Sequence, residues 1–169
     1  MIRTCLGKEP RVAPSAYVDA SAQVIGDVDI GESCSIWCNA TLRGDISSIQ
    51  IGDESNIQDN CCLHVDWGKP LHVGKRVVVG HSVTLHGCEI GDDCLIGMGS
   101  TVLSGARIGA GSIVAAGSLV LEGVSIAPGS MVMGSPAKIR RAVSEEERQG
   151  VQRNARSYVE LSRKYCAES

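Results

Sequence analysis

Residues 90–132 read IGDDCLIGMGSTVLSGARIGAGSIVAAGSLVLEGVSIAPGSMV, and an aliphatic residue opens every group of six: Ile90, Ile96, Val102, Ile108, Val114, Val120, Ile126 and Val132. The fifth position of each group is small or β-branched: Cys94, Ser100, Ala106, Ser112, Ser118, Val124 and Ser130. Glycine often follows the aliphatic, as at Gly91, Gly97 and Gly109, and reads as a turn-prone slot. A helix would show a period of 3.6, and a plain amphipathic strand a period of 2 without six-fold modulation. The same clock extends back through Val73, Val79 and Leu85, then Ile51, Ile57 and Leu63, then Val12, Val18, Val24, Ile30, Ile36 and Leu42, with a slip between the runs. Each hexad is one short strand and a corner, and three hexads close a triangular coil. Stacked about 4.8 Å apart, the twenty hexads predict an all-β solenoid, a parallel β-helix of six to seven triangular coils. Each coil is buried only by its neighbours.

Composition agrees. Phe is absent, aromatic residues are 3%, and Val (18) and Ile (14) outnumber Leu (10). A narrow prism close-packed with aliphatics has no room for large rings. The 169 residues suit one domain. Residues 12–137 carry the hexapeptide repeat, 1–11 are expected to cover one end, and 138–169 to form a linker and a C-terminal helix packing on the prism. Gly134-Ser135-Pro136 breaks the clock. Ser144 and Glu147 then form a capping box. Val151, Ala155, Tyr158, Ser162 and Tyr165 follow helical spacing, which predicts a helix over 144–165 with a soft point at Gly150.

The formal charge is -3 with no basic patch, which argues against nucleic acid as a partner. No apolar run is long enough to span a membrane, and the first residues lack a signal-peptide core, so a cytoplasmic protein is expected. The eight cysteines form no Cys-x-x-Cys pair and read as reduced thiols. Cys34, Cys61 and Cys94 occupy the small inward slot and act as small hydrophobes. Cys38, Cys62 and Cys88 fall outside it. Cys88, two residues from His86, is open to reading as a thiolate ligand or nucleophile.

Stacking three hexads per coil places Arg43, His64, His86 and Leu103 in one column. His64 and His86 then lie one coil apart, as two ligands of one metal require. His81 belongs to another column, above Cys38 and Asp59 and below Met98. Five residues separate His81 from His86, a span of up to about 16 Å when extended. A neighbouring subunit is the economical source of the third imidazole, and a three-fold axis closes such an assembly as a homotrimer with interfacial sites. The plainer reading of any one histidine is structural or solvent-facing. His72, beside the loop at 66–71, is read as a non-ligand.

The stretches Arg43-Gly44-Asp45, Asn56-Ile57-Gln58-Asp59-Asn60, Leu63-His64, Val79-Gly80-His81, Leu85-His86-Gly87-Cys88, Leu95-Ile96-Gly97-Met98-Gly99 and Gly134-Ser135-Pro136-Ala137-Lys138 together resemble the γ-class carbonic anhydrase family, in its bacterial hexapeptide-repeat branch. The resemblance covers about Val12 to Arg141 and implies a left-handed β-helix. It implies that His64, His81 and His86 ligate Zn2+, with His81 from the adjacent subunit. Gln58 and Asn56 would orient the metal-bound hydroxide and the substrate, and Arg43 and Asp45 would pair beside the metal at the trimer interface. The implied reaction is the reversible hydration of CO2 to bicarbonate by a metal-bound hydroxide. Read without the family, Arg43 and Asp45 are an ordinary surface pair and Asn56 a turn residue. Iron or cobalt also suits three imidazoles.

The chain departs from the family's archetype in proton handling. Its loop Val65-Asp66-Trp67-Gly68-Lys69-Pro70 is short and has no glutamate, and Ile46 stands where the archetype has another. Asp66, His72 and Tyr158 are the remaining candidates for that role. Three other functions use the same features: a metal-dependent hydrolase or thioesterase, a hexapeptide acyltransferase, and a trimeric assembly protein with a structural metal.

Overall fold

The computed structural model describes residues 1–168, and the six-residue clock appears in it as three faces of stacked parallel ladders. On the first face Ile2, Val24, Leu42, Leu63, Leu85, Val102 and Val120 lie in register, one per coil. On the second, Val12, Ile30, Ile51, Val73, Ile90, Ile108 and Ile126 do so. On the third, the ladder runs Val18, Ile36, Ile57, Val79, Ile96, Val114 and Val132. The architecture is a left-handed parallel β-helix of about 7 turns with a single C-terminal helix. From Val24 onward these aliphatics are buried and make up one continuous core.

The corner is not where the glycine slot suggested. Left-handed backbone occurs three positions after the aliphatic: at Ser33, Asn39, Glu54, Asn60, Arg76, Ser82 and Asp93 in the earlier coils, and at Gly99, Gly105, Gly111, Gly117, Gly123 and Gly129 in the later ones. The glycine directly after the aliphatic serves close stacking instead. A Cβ on Gly52 would lie 2.6 Å from the backbone carbonyl carbon of Gly74 in the next coil.

Both ends carry strands outside the repeat. Ile2–Arg3 pairs parallel with Val24 and Ile25, so the N-terminal segment adds a rung to the first face at that end. At the other end Ser130–Gly134 turns back into Ala137–Ala142, an antiparallel strand on the third face where the sequence offered only a linker. The helix follows as Glu145–Glu168, and Gly150 does not interrupt it. Its start is the capping box: Ser144 N donates to Glu147 Oε2 (2.9 Å) and Glu147 N to Ser144 Oγ (3.2 Å). Arg141 donates two bonds of 2.7 Å to the same carboxylate. Val151 and Ala155 bury the helix against Val78, Ile113, Met131 and Val143, and Tyr158 and Tyr165 pack on Trp37 farther along. Among the described residues no helix is long and apolar enough to cross a membrane.

Cys34, Cys61 and Cys94 sit in the core, and burial pushes each thiol up to about 12. Cys88 joins them, with its thiol also pushed up to about 12 by burial. Counted back from Ile90, it falls two places before an aliphatic, the same inward slot that Cys34 holds before Ile36. The shortened hexad between Leu85 and Ile90 hides this when the count runs forward. A thiol so buried is a core filler, not a ligand or nucleophile.

Candidate metal centre

Three strands of the first face, Thr41–Ile51, Cys62–His64 and Thr84–His86, build half of the site. Alternate strand residues face opposite sides, so with Leu42, Leu63 and Leu85 in the core, Arg43, His64 and His86 point outward. They are paired in register one above another. His64 Nδ1 and His86 Nε2 face each other at 3.1 Å. The other nitrogen of each ring is held from outside: His64 Nε2 lies 3.1 Å from Asp45 Oδ1, and His86 Nδ1 lies 2.8 Å from Ser104 Oγ. Arg43 pairs with Asp45 through its Nη1. Burial pushes the Asp45 carboxyl up, but the hydrogen bond with His64 and the Arg43 guanidinium outweigh it, and Asp45 titrates below the usual carboxylate range.

His81 follows Gly80 at the corner after the third-face strand Val78–Val79. Its Nδ1 lies 2.9 Å from Asp59 Oδ2. Asp59 is directly below it in the column, where its carbonyl accepts from Ser82 N at 2.8 Å. His81 does not meet the other two imidazoles within one chain. Among the described residues no group of three or more His, Cys, Asp or Glu side chains of one chain is arranged to hold a metal ion. Each of the three rings nevertheless has one nitrogen fixed by a carboxylate or hydroxyl, which is how a protein sets the tautomer and aim of a metal-binding histidine. The donor set fits a divalent metal on this ground.

His81, Gln58, Asn154 and Tyr158 line a cavity of about 440 Å³ between the third face and the helix. Gln58 and Asn56 are buried on that face. Gln58 Nε2 donates to Asn56 Oδ1 at 3.0 Å, while Asn56 Nδ2 is buried with no partner. An orphaned buried donor costs about 1–3 kcal/mol and calls for an explanation such as a ligand or water it awaits. Burial, and then the charge of Asp59, push the Tyr158 phenol above its ordinary range.

The three candidates for proton handling separate in space. Asp66 heads the tight turn Asp66–Lys69, and its Oδ2 lies 3.5 Å from Ser104 Oγ, the hydroxyl that holds His86. Tyr158 stands in the His81 cavity. His72 belongs to the second face, with Nδ1 3.2 Å from Gln50 Oε1, in a column apart from the other histidines. Sequence reasoning did not single out Ser104 and Asn154. Asp59 was visible under His81 by column arithmetic, but its role as the His81 partner was not.

The family of bacterial transferase hexapeptide repeats (six repeats) matches residues 87–122. The chain is 45% identical over 167 residues to the carbonic anhydrase of Geobacillus kaustophilus (strain HTA426), covering 99% of this chain and 92% of that one. It is 41% identical over 168 residues to the mitochondrial gamma carbonic anhydrase 2 of Arabidopsis thaliana; the match takes in 96% of this chain but spans only 60% of the plant protein's length. Among solved structures, a hexapeptide transferase family protein from Anaplasma phagocytophilum superposes with a TM-score of 0.93 at 41% identity, covering 96% of each chain. With identities of this size over nearly its whole length, and with the repeat and the histidine columns in place, the chain belongs to the γ-class carbonic anhydrase family.

Proposed function

We propose that the protein is a metal-dependent carbonic anhydrase that hydrates CO2 reversibly to bicarbonate, with its site completed between subunits of a homotrimer. The observation that carries this reading is the His64–His86 pair, whose facing nitrogens stand 3.1 Å apart with their far sides pinned. Two nitrogens on one tetrahedral zinc, each at 2.0–2.1 Å, are roughly 3.3 Å apart, so the pair is already close to that bite. His64 and His86 of one subunit would hold the metal together with the His81 of a neighbour, Fe2+ or Co2+ being alternatives to Zn2+. Zinc on three neutral imidazoles would supply a Lewis acid that brings the pKa of a bound water down to about 7.

The chain's own residues do the rest. Asp45, Ser104 and Asp59 fix the three rings, and Arg43 balances the Asp45 charge. Asn56 Nδ2 offers a donor with no competing acceptor. Gly80, Met98 and Val114 give the cavity an apolar wall suited to CO2. Asp66, a half-exposed carboxylate beside the site with its Oδ2 3.5 Å from Ser104 Oγ, accepts the released proton and passes it to solvent in place of the archetype's glutamates.

The test is purification under reducing, anaerobic conditions, metal analysis, and stopped-flow CO2 hydration, with His81→Ala beside the wild type. One metal per chain and rapid hydration, both lost in H81A, are expected. Full metal without hydration overturns the carbonic anhydrase reading, and metal retained in H81A overturns the ligand set.

A further inference from the structure

We propose that Trp37 is a positioning residue: it fixes where Tyr158 stands in the cavity that Tyr158 shares with His81 and Gln58. The inference rests on reading that cavity as the reaction site. The chain has only two Trp, three Tyr and no Phe, yet Trp37 and all three tyrosines meet in one cluster. Trp37 is its hub, with ring centroids 5.3 Å from Tyr17, 5.6 Å from Tyr158 and 5.1 Å from Tyr165. The indole is 5% exposed, and its Nε1 donates to Ser35 Oγ at 3.0 Å, which sets the plane of the ring. Tyr158 meets that plane edge-on at 76°.

The column of which Trp37 is part explains its place. Backbone hydrogen bonds from Trp37 N to Ile57 O, Gln58 N to Val79 O and Gly80 N to Ile96 O stack Trp37, Gln58, Gly80 and Gly97 one coil at a time. The two positions above Gln58, Gly80 and Gly97, carry no side chain, and the cavity opens there with Tyr158 on its helix wall. Trp37 is the large rigid group below that opening. Tyr17 and Tyr165 brace it and do not line the cavity. Docking of the helix alone does not require this hub, because Val151 and Ala155 already bury the helix against Val78, Ile113 and Met131. Without the indole, the Tyr158 ring has room to swing away from Gln58 and His81.

Crystal structures and CO2-hydration kinetics of Trp37→Leu, Trp37→Met and Trp37→Phe test this, with Val151→Ala as a control that loosens the helix elsewhere. In W37L and W37M the Tyr158 hydroxyl shifts by about 1 Å or more, and kcat/KM falls about 10- to 100-fold at unchanged metal content. W37F, which keeps a ring, retains both the position and most of the activity. V151A loses thermal stability but holds kcat/KM within about twofold. An unmoved Tyr158 in both W37L and W37M, or a V151A loss of kcat/KM as large as theirs, overturns the proposal. If the wild type does not hydrate CO2, the position of Tyr158 in W37L and W37M still decides the role of Trp37, and only the carbonic anhydrase reading falls.

Discussion

Asn56 holds its Oδ1 to Gln58 and keeps its Nδ2 buried and unpaired. Asn56→Ala removes one orphaned donor but leaves the buried Gln58 Nε2 without its acceptor, two changes of similar size and opposite sign that offset to within about 1 kcal/mol. The melting curve of N56A therefore stays near that of the wild type, while kcat/KM for CO2 falls about 10- to 100-fold if the free donor serves the substrate. A melt and a kinetic assay on one preparation check both halves. Asp66 gives a different signature. Asp66→Asn lowers kcat in weak buffer and leaves kcat/KM nearly unchanged, because it slows the hand-over of the proton and not the attack on CO2. Added imidazole buffer restores kcat, and a loss that buffer cannot rescue assigns Asp66 a structural role instead. At this scale the sequence revealed what a column can reveal. His64 and His86 share a slot one coil apart, so their stacking followed from counting. Ser104 stayed hidden because it reaches His86 through a side chain at a corner, where the period fixes the backbone but not the direction of a hydroxyl.

The C-terminal helix depends on a charge that can be titrated. Arg141 first, and the Ser144 N–H second, hold the Glu147 carboxyl down at about 2, below its ordinary 4.5. A carboxyl whose pKa is depressed on folding stabilises the fold above its unfolded pKa and loses that contribution as pH falls through the folded one. Glu147→Gln should therefore melt below the wild type near neutral pH by circular dichroism, and the gap should close between about pH 4.5 and pH 2. Capping box and helix were both legible because they are local patterns of residue type. The strand Ala137–Ala142 was not, because it is made by pairing with Ser130–Gly134 and carries no period of its own. The corners show the same division. Glycine after the aliphatic was easy to see and easy to misread, since close stacking and positive φ both select glycine. The residues that do turn left-handed in the earlier coils include Ser33, Asn39, Glu54 and Arg76, which no composition rule would gather into one class.

Taken as a whole molecule, the solenoid is a rigid post that displays two columns facing different ways. The first carries His64 and His86, the second His81, and the coil geometry keeps them apart in any one chain. No rotamer change joins columns on different faces of a packed prism, so a complete three-histidine site demands a second copy whose His81 column meets the first chain's His64 column. Three copies around an axis satisfy every column and leave none unpaired. This predicts complementation between inactive chains. His64→Ala lacks one column's ligand and His81→Ala the other's, and each protein alone should bind little metal. Mixed, unfolded and refolded together at equal amounts, they form trimers in which about one interface in four brings an intact His64–His86 pair against an intact His81. Metal content and CO2 hydration should return to about that fraction of wild type. A mixture that stays dead would place all three ligands within one chain, metal bound by H81A alone would remove His81 from the set, and recovery without a trimer on a sizing column would replace the three-fold axis with another symmetry.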